Sequence, residues 1–138
     1  MAEAIAIGPT QFFNKTHDEA MALLQAARHY CAQLGPAESQ ALTPVERLKV
    51  SCETMRVTSR LTQVMAWILA QKAVHAGEIS RSQAASEQFS LGGEEVCLDE
   101  TGEQDHAMPE RLRTLLARSR QLYVRVMRLD ELVRRAAS

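Results

Sequence analysis

Of the side chains able to do chemistry, few stand at spacings that would let them cooperate. Cys31, Cys52 and Cys97 are odd in number and form no CxxC or CxxH pair, so they read as reduced thiols, two in a core and one in a loop. His17, His29, His75 and His106 are scattered, with no HExxH and no carboxylate cluster, and read as surface or boundary residues. Glu94-Glu95 and Asp99-Glu100 are adjacent acids in a glycine-bearing stretch that suits a solvated loop. Gly92-Gly93 follows no strand and does not make a phosphate loop. A nucleophile with its base, a paired carboxylate cleft and a metal set are all missing at any recognisable spacing, so the sequence predicts no enzyme, no cofactor and no metal.

What remains is binding chemistry, on one long helix. Thr43-Pro44-Val45-Glu46 is a capping box with proline at the first helical position, and Gly77 marks the far end. The helix from Thr43 to Val74 would be roughly 45 Å long at 1.5 Å per residue. Leu48, Cys52, Met55, Thr62, Met65 and Leu69 form one apolar stripe, and Val50, Val57, Leu61, Val64 and Ile68 a second. Lys49, Glu53, Arg56, Arg60, Gln63 and Gln71 make the polar arc, and the only tryptophan, Trp67, fills its gap. Arg56, Arg60 and Trp67 lie within about 50° of one another on a 3.6-residue helix. Arginine with a large aromatic is the composition of binding hot spots. The sequence therefore predicts a partner surface of Arg56, Arg60 and Trp67, with Gln63 and Gln71 on the same arc. The structural alternative is that a neighbouring helix covers Trp67.

The elements around this helix must position it. The chain has 138 residues, 46% hydrophobic but only 4% aromatic, which suits one all-α domain. Residues 1–9 read as a flexible tail and residues 10–138 as the domain. The first helix starts at Thr10 or at the second capping box, Thr16-His17-Asp18-Glu19, buries Phe13, Ala20, Leu24, Ala27, Cys31 and Leu34, and ends at Gly35-Pro36. Ser80 with Gln83 caps a short helix to about Gln88. The last helix starts near Met108-Pro109-Glu110, runs to about Ala136, and carries Leu112, Leu115, Leu116, Leu122, Val126, Leu129 and Val133 on one stripe. Short links make the long helices antiparallel neighbours, an up-down-up three-helix bundle around a long central helix. Its second and third helices have wider apolar arcs than three helices cover, which predicts a homodimer.

The net charge of −1 hides an asymmetry. Residues 78–105 hold eight acids against the single Arg81, and residues from Pro109 onward hold eight arginines against three acids. From about 90 to 107 the chain reads as a mobile acidic connector that touches the core at most through Val96-Cys97-Leu98. The arginine-rich last helix raises DNA or regulator binding as an alternative function. Against it, the arginines are interleaved with leucines, no helix-turn-helix spacing is visible, and the sequence pI is about 6.4. No apolar run reaches membrane-span length, and the N-terminus has no basic leader, which predicts a soluble cytoplasmic protein.

The segment Glu53-Thr54-Met55-Arg56-Val57-Thr58-Ser59-Arg60-Leu61, continued by Trp67-Ile68-Leu69-Ala70-Gln71-Lys72-Ala73-Val74 and Gly77-Glu78-Ile79, resembles the central helix of the RcdA family, alphaproteobacterial regulators of CtrA degradation. The order of three long helices, the acidic connector and the basic last helix are similar too. The resemblance implies a homodimer of three-helix bundles. It implies an adaptor that, with co-adaptors, presents substrates such as the cell-cycle regulator CtrA to the ClpXP protease. It carries no catalytic motif.

Overall fold

The computed structural model describes residues 2–137, with side chains given for 11–33 and 36–137. Its elements are helical, with no strand among the described residues. Helix α1 spans Ala2–His29, passes through a π-helical turn at Tyr30–Leu34, and continues as α2, Gly35–Ser39. The long helix α3 is Pro44–His75, the short α4 is Arg81–Ala84, α5 is Glu94–Cys97, α6 is Thr101–Gln104, and α7 is Glu110–Ala137.

The caps of α3 form as the sequence predicts. Thr43 Oγ1 accepts from Glu46 N at 3.2 Å, Glu46 Oε1 accepts from Thr43 N at 3.2 Å, and Gly77 takes a left-handed φ of 77° past the C-terminus. Ser80 and Gln83 close a second box on α4. Two boundaries on α1 differ from expectation. The helix starts at Ala2, so the segment expected as a tail lies on it from that residue; Ala2, Glu3, Ala4 and Ala6 are good helix formers that extend it backwards. Thr16 is then an interior residue, buried rather than capping. The side chains of Thr10 and Leu34, and all of Met1, lie outside the described residues. Nor does Gly35-Pro36 end the helix: Pro36 lacks an N–H and crowds the preceding turn, and the wider π turn loosens the ladder just ahead of it.

The packing directions also depart from up-down-up. Phe13 meets the rings of Trp67 at 5.9 Å and His75 at 5.4 Å, while Tyr30 shares a cavity wall with Val50, so α1 and α3 are antiparallel. Against α7, however, Arg60 reaches the Leu116 carbonyl at 2.8 Å and Trp67 reaches Asp130 at 3.0 Å, so the numbering rises together and α3 and α7 are parallel. The connector makes this possible by returning along α3: Gly92 N donates to Gln63 Oε1 at 2.9 Å, Arg60 Nε donates to the Cys97 carbonyl at 2.7 Å, and Gly102 lies against Glu53. A short link enforces an antiparallel neighbour, whereas one as long as 76–109 can travel the length of a helix and start the next in the same direction.

The core joins Leu23, Ala27 and Tyr30 of α1, Val57, Leu61, Val64 and Ile68 of α3, and Leu112, Leu116, Leu122 and Val126 of α7, with Leu91, Cys97 and Met108 added from the connector side. Residues 90–107, expected as a loop loosely tethered by one apolar cluster, instead form two short helices, α5 packed on α3 and α6 packed on α7 with Gly102 against Glu53. Cys97 is fully buried, whereas Val96 and Leu98 are exposed.

Candidate partner interface

On α3 the polar arc faces inward. Arg60 is fully buried: Nε donates to the Cys97 carbonyl at 2.7 Å, Nη2 to the Asp99 carbonyl at 2.6 Å, and Nη1 to the Leu116 carbonyl at 2.8 Å and to Ser119 Oγ at 3.2 Å. A guanidinium fans its donors in a plane, and here they bind the connector and α7 at once. Among the described residues no carboxylate forms an ion pair with it; the acceptors are neutral. Burial pulls the Arg60 pKa below that of a free arginine, but from so high a start that the charge stays. Arg56 lies one turn earlier, half-buried. It donates to Glu53 Oε2 at 2.9 Å and to the Val96 carbonyl, and the Glu53 bond raises its pKa.

Trp67 is 2% exposed and donates Nε1 to Asp130 Oδ1 at 3.0 Å. Gln63 accepts from Gly92 N, and the carbonyl of the same glycine accepts from Tyr123 Oη at 2.6 Å. Gln71 is 5% exposed, and among the described residues its Nε2 finds no hydrogen-bond partner, a cost of about 1–3 kcal/mol if nothing satisfies it. The five residues expected to greet a partner thus share one arc, but that arc is covered by the connector and α7. The physical reason lies in backbone carbonyls. A returning connector with short helices leaves C=O groups without helical partners, and buried ones must find donors. Arg56 and Arg60 supply them, while Gln63 accepts the Gly92 N–H and Trp67 donates to the Asp130 carboxylate.

The outward face of α3 is the apolar stripe instead. Val45 and Leu48 are each 65% exposed, Met55 68% and Leu69 56%, and Cys52, Thr62 and Ala66 are exposed between them. With Ser59 these positions alternate steps of three and four over 45, 48, 52, 55, 59, 62, 66 and 69, the spacing of a helix seam that packs against another helix. The sequence names most of this stripe and gives the helix more apolar width than three helices cover, without saying which of its two stripes faces outward. A signal separating the two stripes was present. The buried one is Val, Leu and Ile throughout, while the outward one mixes Met, Cys, Thr and Ala, residues suited to an adaptable surface.

The arginines of α7 are largely engaged. Arg113 donates to the Glu103 carbonyl, Arg120 pairs with Glu103, Arg125 with Glu19 at 2.6 Å and Arg134 with Asp130 at 3.0 Å. Arg120 is neutralised by Glu100 and Glu103 of the connector, Arg125 by α1 and Arg134 within α7, which leaves fewer arginines of this helix for a face reading phosphates. Among the described residues no group of three or more His, Cys, Asp or Glu side chains could hold a metal ion, and no helix is long and apolar enough to cross a membrane.

Fold and site together define an all-helical protein with an internally clamped connector and one long helix presenting an apolar seam to its surroundings. Residues 7–138 match the family model described as "Protein of unknown function (DUF1465)". Among solved structures, the crystal structure of RcdA from Caulobacter crescentus CB15 is similar at 32% identity and a TM-score of 0.68, over 88% of this chain and 89% of that one. No curated protein matches the chain. The chain belongs to the DUF1465 family and is RcdA-like.

Proposed function

We propose that this protein is a non-enzymatic adaptor in regulated proteolysis, working in the cytoplasm as a homodimer joined through the outer seam of α3. With co-adaptors it delivers substrates such as a CtrA-type cell-cycle response regulator to ClpXP. The observation that carries the reading is the likeness to RcdA across nearly the whole of both chains. The seam supports the dimer. Val45, Leu48, Met55 and Leu69 leave a stripe of large apolar groups in water along a helix, and burial is worth roughly 25 cal/mol per Å² of apolar surface removed from water. A second copy offers the same stripe by symmetry, so one sequence pattern completes the interface twice.

The test is a reconstituted degradation assay containing ClpXP, a CtrA-type regulator, the co-adaptors and this protein. Adding the protein should speed loss of the regulator. A Leu48→Glu, Met55→Glu variant should sediment at the 15.4 kDa monomer mass instead of twice that, and should lose the effect. No acceleration by the native protein, with the assay otherwise competent, would overturn the adaptor reading. A native protein that is monomeric at tens of micromolar would overturn the dimer. Tight, steeply salt-dependent capture of duplex DNA would favour the arginine face instead.

A further inference from the structure

The outer seam of α3 is large toward its ends and small in its middle. Val45, Leu48 and Met55 lead into Ser59, Thr62 and Ala66 before Leu69, and Met55 is the most exposed large apolar side chain among the described residues. Beside the small middle, where α5 packs on α3, lies a hollow of about 260 Å³. Thr58, Ser59 and Thr62 form its α3 wall, and Gly93 and Val96 face them from the connector. Thr58, Ser59 and Thr62 are three of the four positions that surround one knob when a second helix packs along this seam, and Met55 is the fourth. The hollow is therefore where an incoming helix sets a large side chain.

We propose that the knob is Met55 of a second copy whose α3 runs antiparallel, with the two-fold axis passing between Met55 and Ser59. This arrangement rests on the homodimer reading and deepens it. Met55 covers the partner's Ser59, Leu48 covers the partner's Ala66, Cys52 faces the partner's Thr62, and Val45 meets the partner's Leu69 at each end. Every large group but the end pair lies over a small one, and a flexible thioether suits an irregular hollow. At about 100 Å² each, the four large groups bring roughly 800 Å² from two copies. The smaller seam positions and Val96 carry that toward the roughly 1,200 Å² at which specific interfaces begin.

The flanks match in charge as well. Lys49, exposed on the connector side, comes level with the partner's Gln63, where the partner's Glu94 and Glu95 stand exposed at the start of α5. Arg56 meets the partner's Arg56 near the axis, but its bond to Glu53 already neutralises it. Other arrangements leave the hollow unfilled. Parallel helices set Ser59 on the partner's Ser59 and Met55 on the partner's Met55. An antiparallel pair shifted by one heptad sets Ser59 against the partner's Thr62 in one direction and strands Leu69 in the other.

The experiment uses the full chain with Cys31→Ser, which leaves Cys52 as the exposed thiol and Cys97 buried. Under mild oxidation, Thr62→Cys in that background should give dimers whose cross-link joins position 52 of one copy to position 62 of the other, mapped by mass spectrometry after proteolysis. Without it, Cys52 should give no cross-link, because its two copies stand about 15 Å apart along the helices and a disulfide needs Cα atoms within about 7 Å. Met55→Ser should weaken dimerisation roughly a hundredfold by sedimentation, since each dimer loses the contact twice. Adding Ser59→Met should restore most of that loss, because the two positions face each other. A native protein that stays monomeric at tens of micromolar overturns the homodimer and this arrangement with it. A dimer that cross-links through paired Cys52, or through Cys52 and Leu69→Cys, or that the exchange of Met55 and Ser59 fails to rescue, keeps the homodimer and overturns the arrangement.

Discussion

Trp67 Nε1 donates to Asp130 Oδ1 at 3.0 Å, and the other oxygen of that carboxylate takes Arg134 Nη2 at 3.0 Å. Asp130 is 1% exposed, so the indole holds a buried charge as well as filling the core. Trp67→Phe keeps an aromatic body but removes the donor. Unfolding in urea should cost about 3 kcal/mol less than in the native protein, since a buried carboxylate short of one partner is added to a partial cavity. Asp130→Asn, whose carbonyl still accepts from the indole, should cost clearly less. Equal losses would mean that the hydrogen bond adds nothing to packing.

Arg60 ties three segments together, and its removal should loosen one of them selectively. Arg60→Met leaves the Cys97, Asp99 and Leu116 carbonyls without their shared donor. We expect amide hydrogen exchange to quicken across residues 91–104, while the amides of α3 around Leu61 and Val64 keep most of their protection. Arg60→Lys should rescue little, because one ammonium cannot span acceptors on two elements as a planar guanidinium does. Uniformly faster exchange throughout the chain would instead make Arg60 a general core residue with no particular hold on the connector.

Much of the fold was legible from local chemistry. The boxes at Thr43 and Ser80, the stop at Gly77 and the Val50–Ile68 stripe depend on neighbours within a turn or two, and each is found where the residues put it. What was not legible depends on distant partners. Arg60 and Trp67 look like a hot spot because periodicity says only that they share a face; whether water or the Cys97 carbonyl meets that face is decided thirty-odd residues later. Which of the two apolar stripes faces outward was hidden for the same reason. Once the connector needs donors on one side of α3, the stripe at Leu48 and Met55 is turned outward. Helix direction failed for a related reason, since a connector read as unstructured carries no information about where it ends.

Gly102 offers a separate check on the docked connector. A Cβ there would stand 2.9 Å from Glu53 Cγ and closer still to its carboxylate, which is bonded to Arg56. Gly102→Ala must therefore push the Glu53 side chain from its place or lift α6 from α3. The variant should lose about 1–3 kcal/mol of stability, the usual cost of overpacking. In a Glu53→Ala background, where the obstructing side chain is gone, the second change should cost almost nothing. If Gly102→Ala is neutral in the native background, α6 does not rest on Glu53 in solution.

The three thiols occupy three environments, and their chemistry should separate them. Cys52 stands exposed on the outer seam, Cys31 is exposed on the π turn, and Cys97, the last residue of α5 in the connector, is fully buried. Labelling by a disulfide reagent should be prompt at Cys31. At Cys52 it should slow as protein concentration rises, if a second copy covers the seam. At Cys97 it should follow opening of the connector, and Arg60→Met should accelerate it. Burial raises the Cys97 pKa above its ordinary value of 9.0, outweighing the nearby Arg60 and Arg56, so the sign of the pH effect follows. The unfolded thiol ionises first, and ionisation draws the chain toward the unfolded state. The stability conferred by the neutral thiol is complete below pH 9 and falls as pH climbs from there toward the folded value. In a Cys31→Ser, Cys52→Ser background, unfolding free energy should decline over that alkaline window, and Cys97→Ala should remove that part of the decline. An unchanged slope in the triple variant would show that Cys97 is already ionised, or already reached by water, in the folded protein.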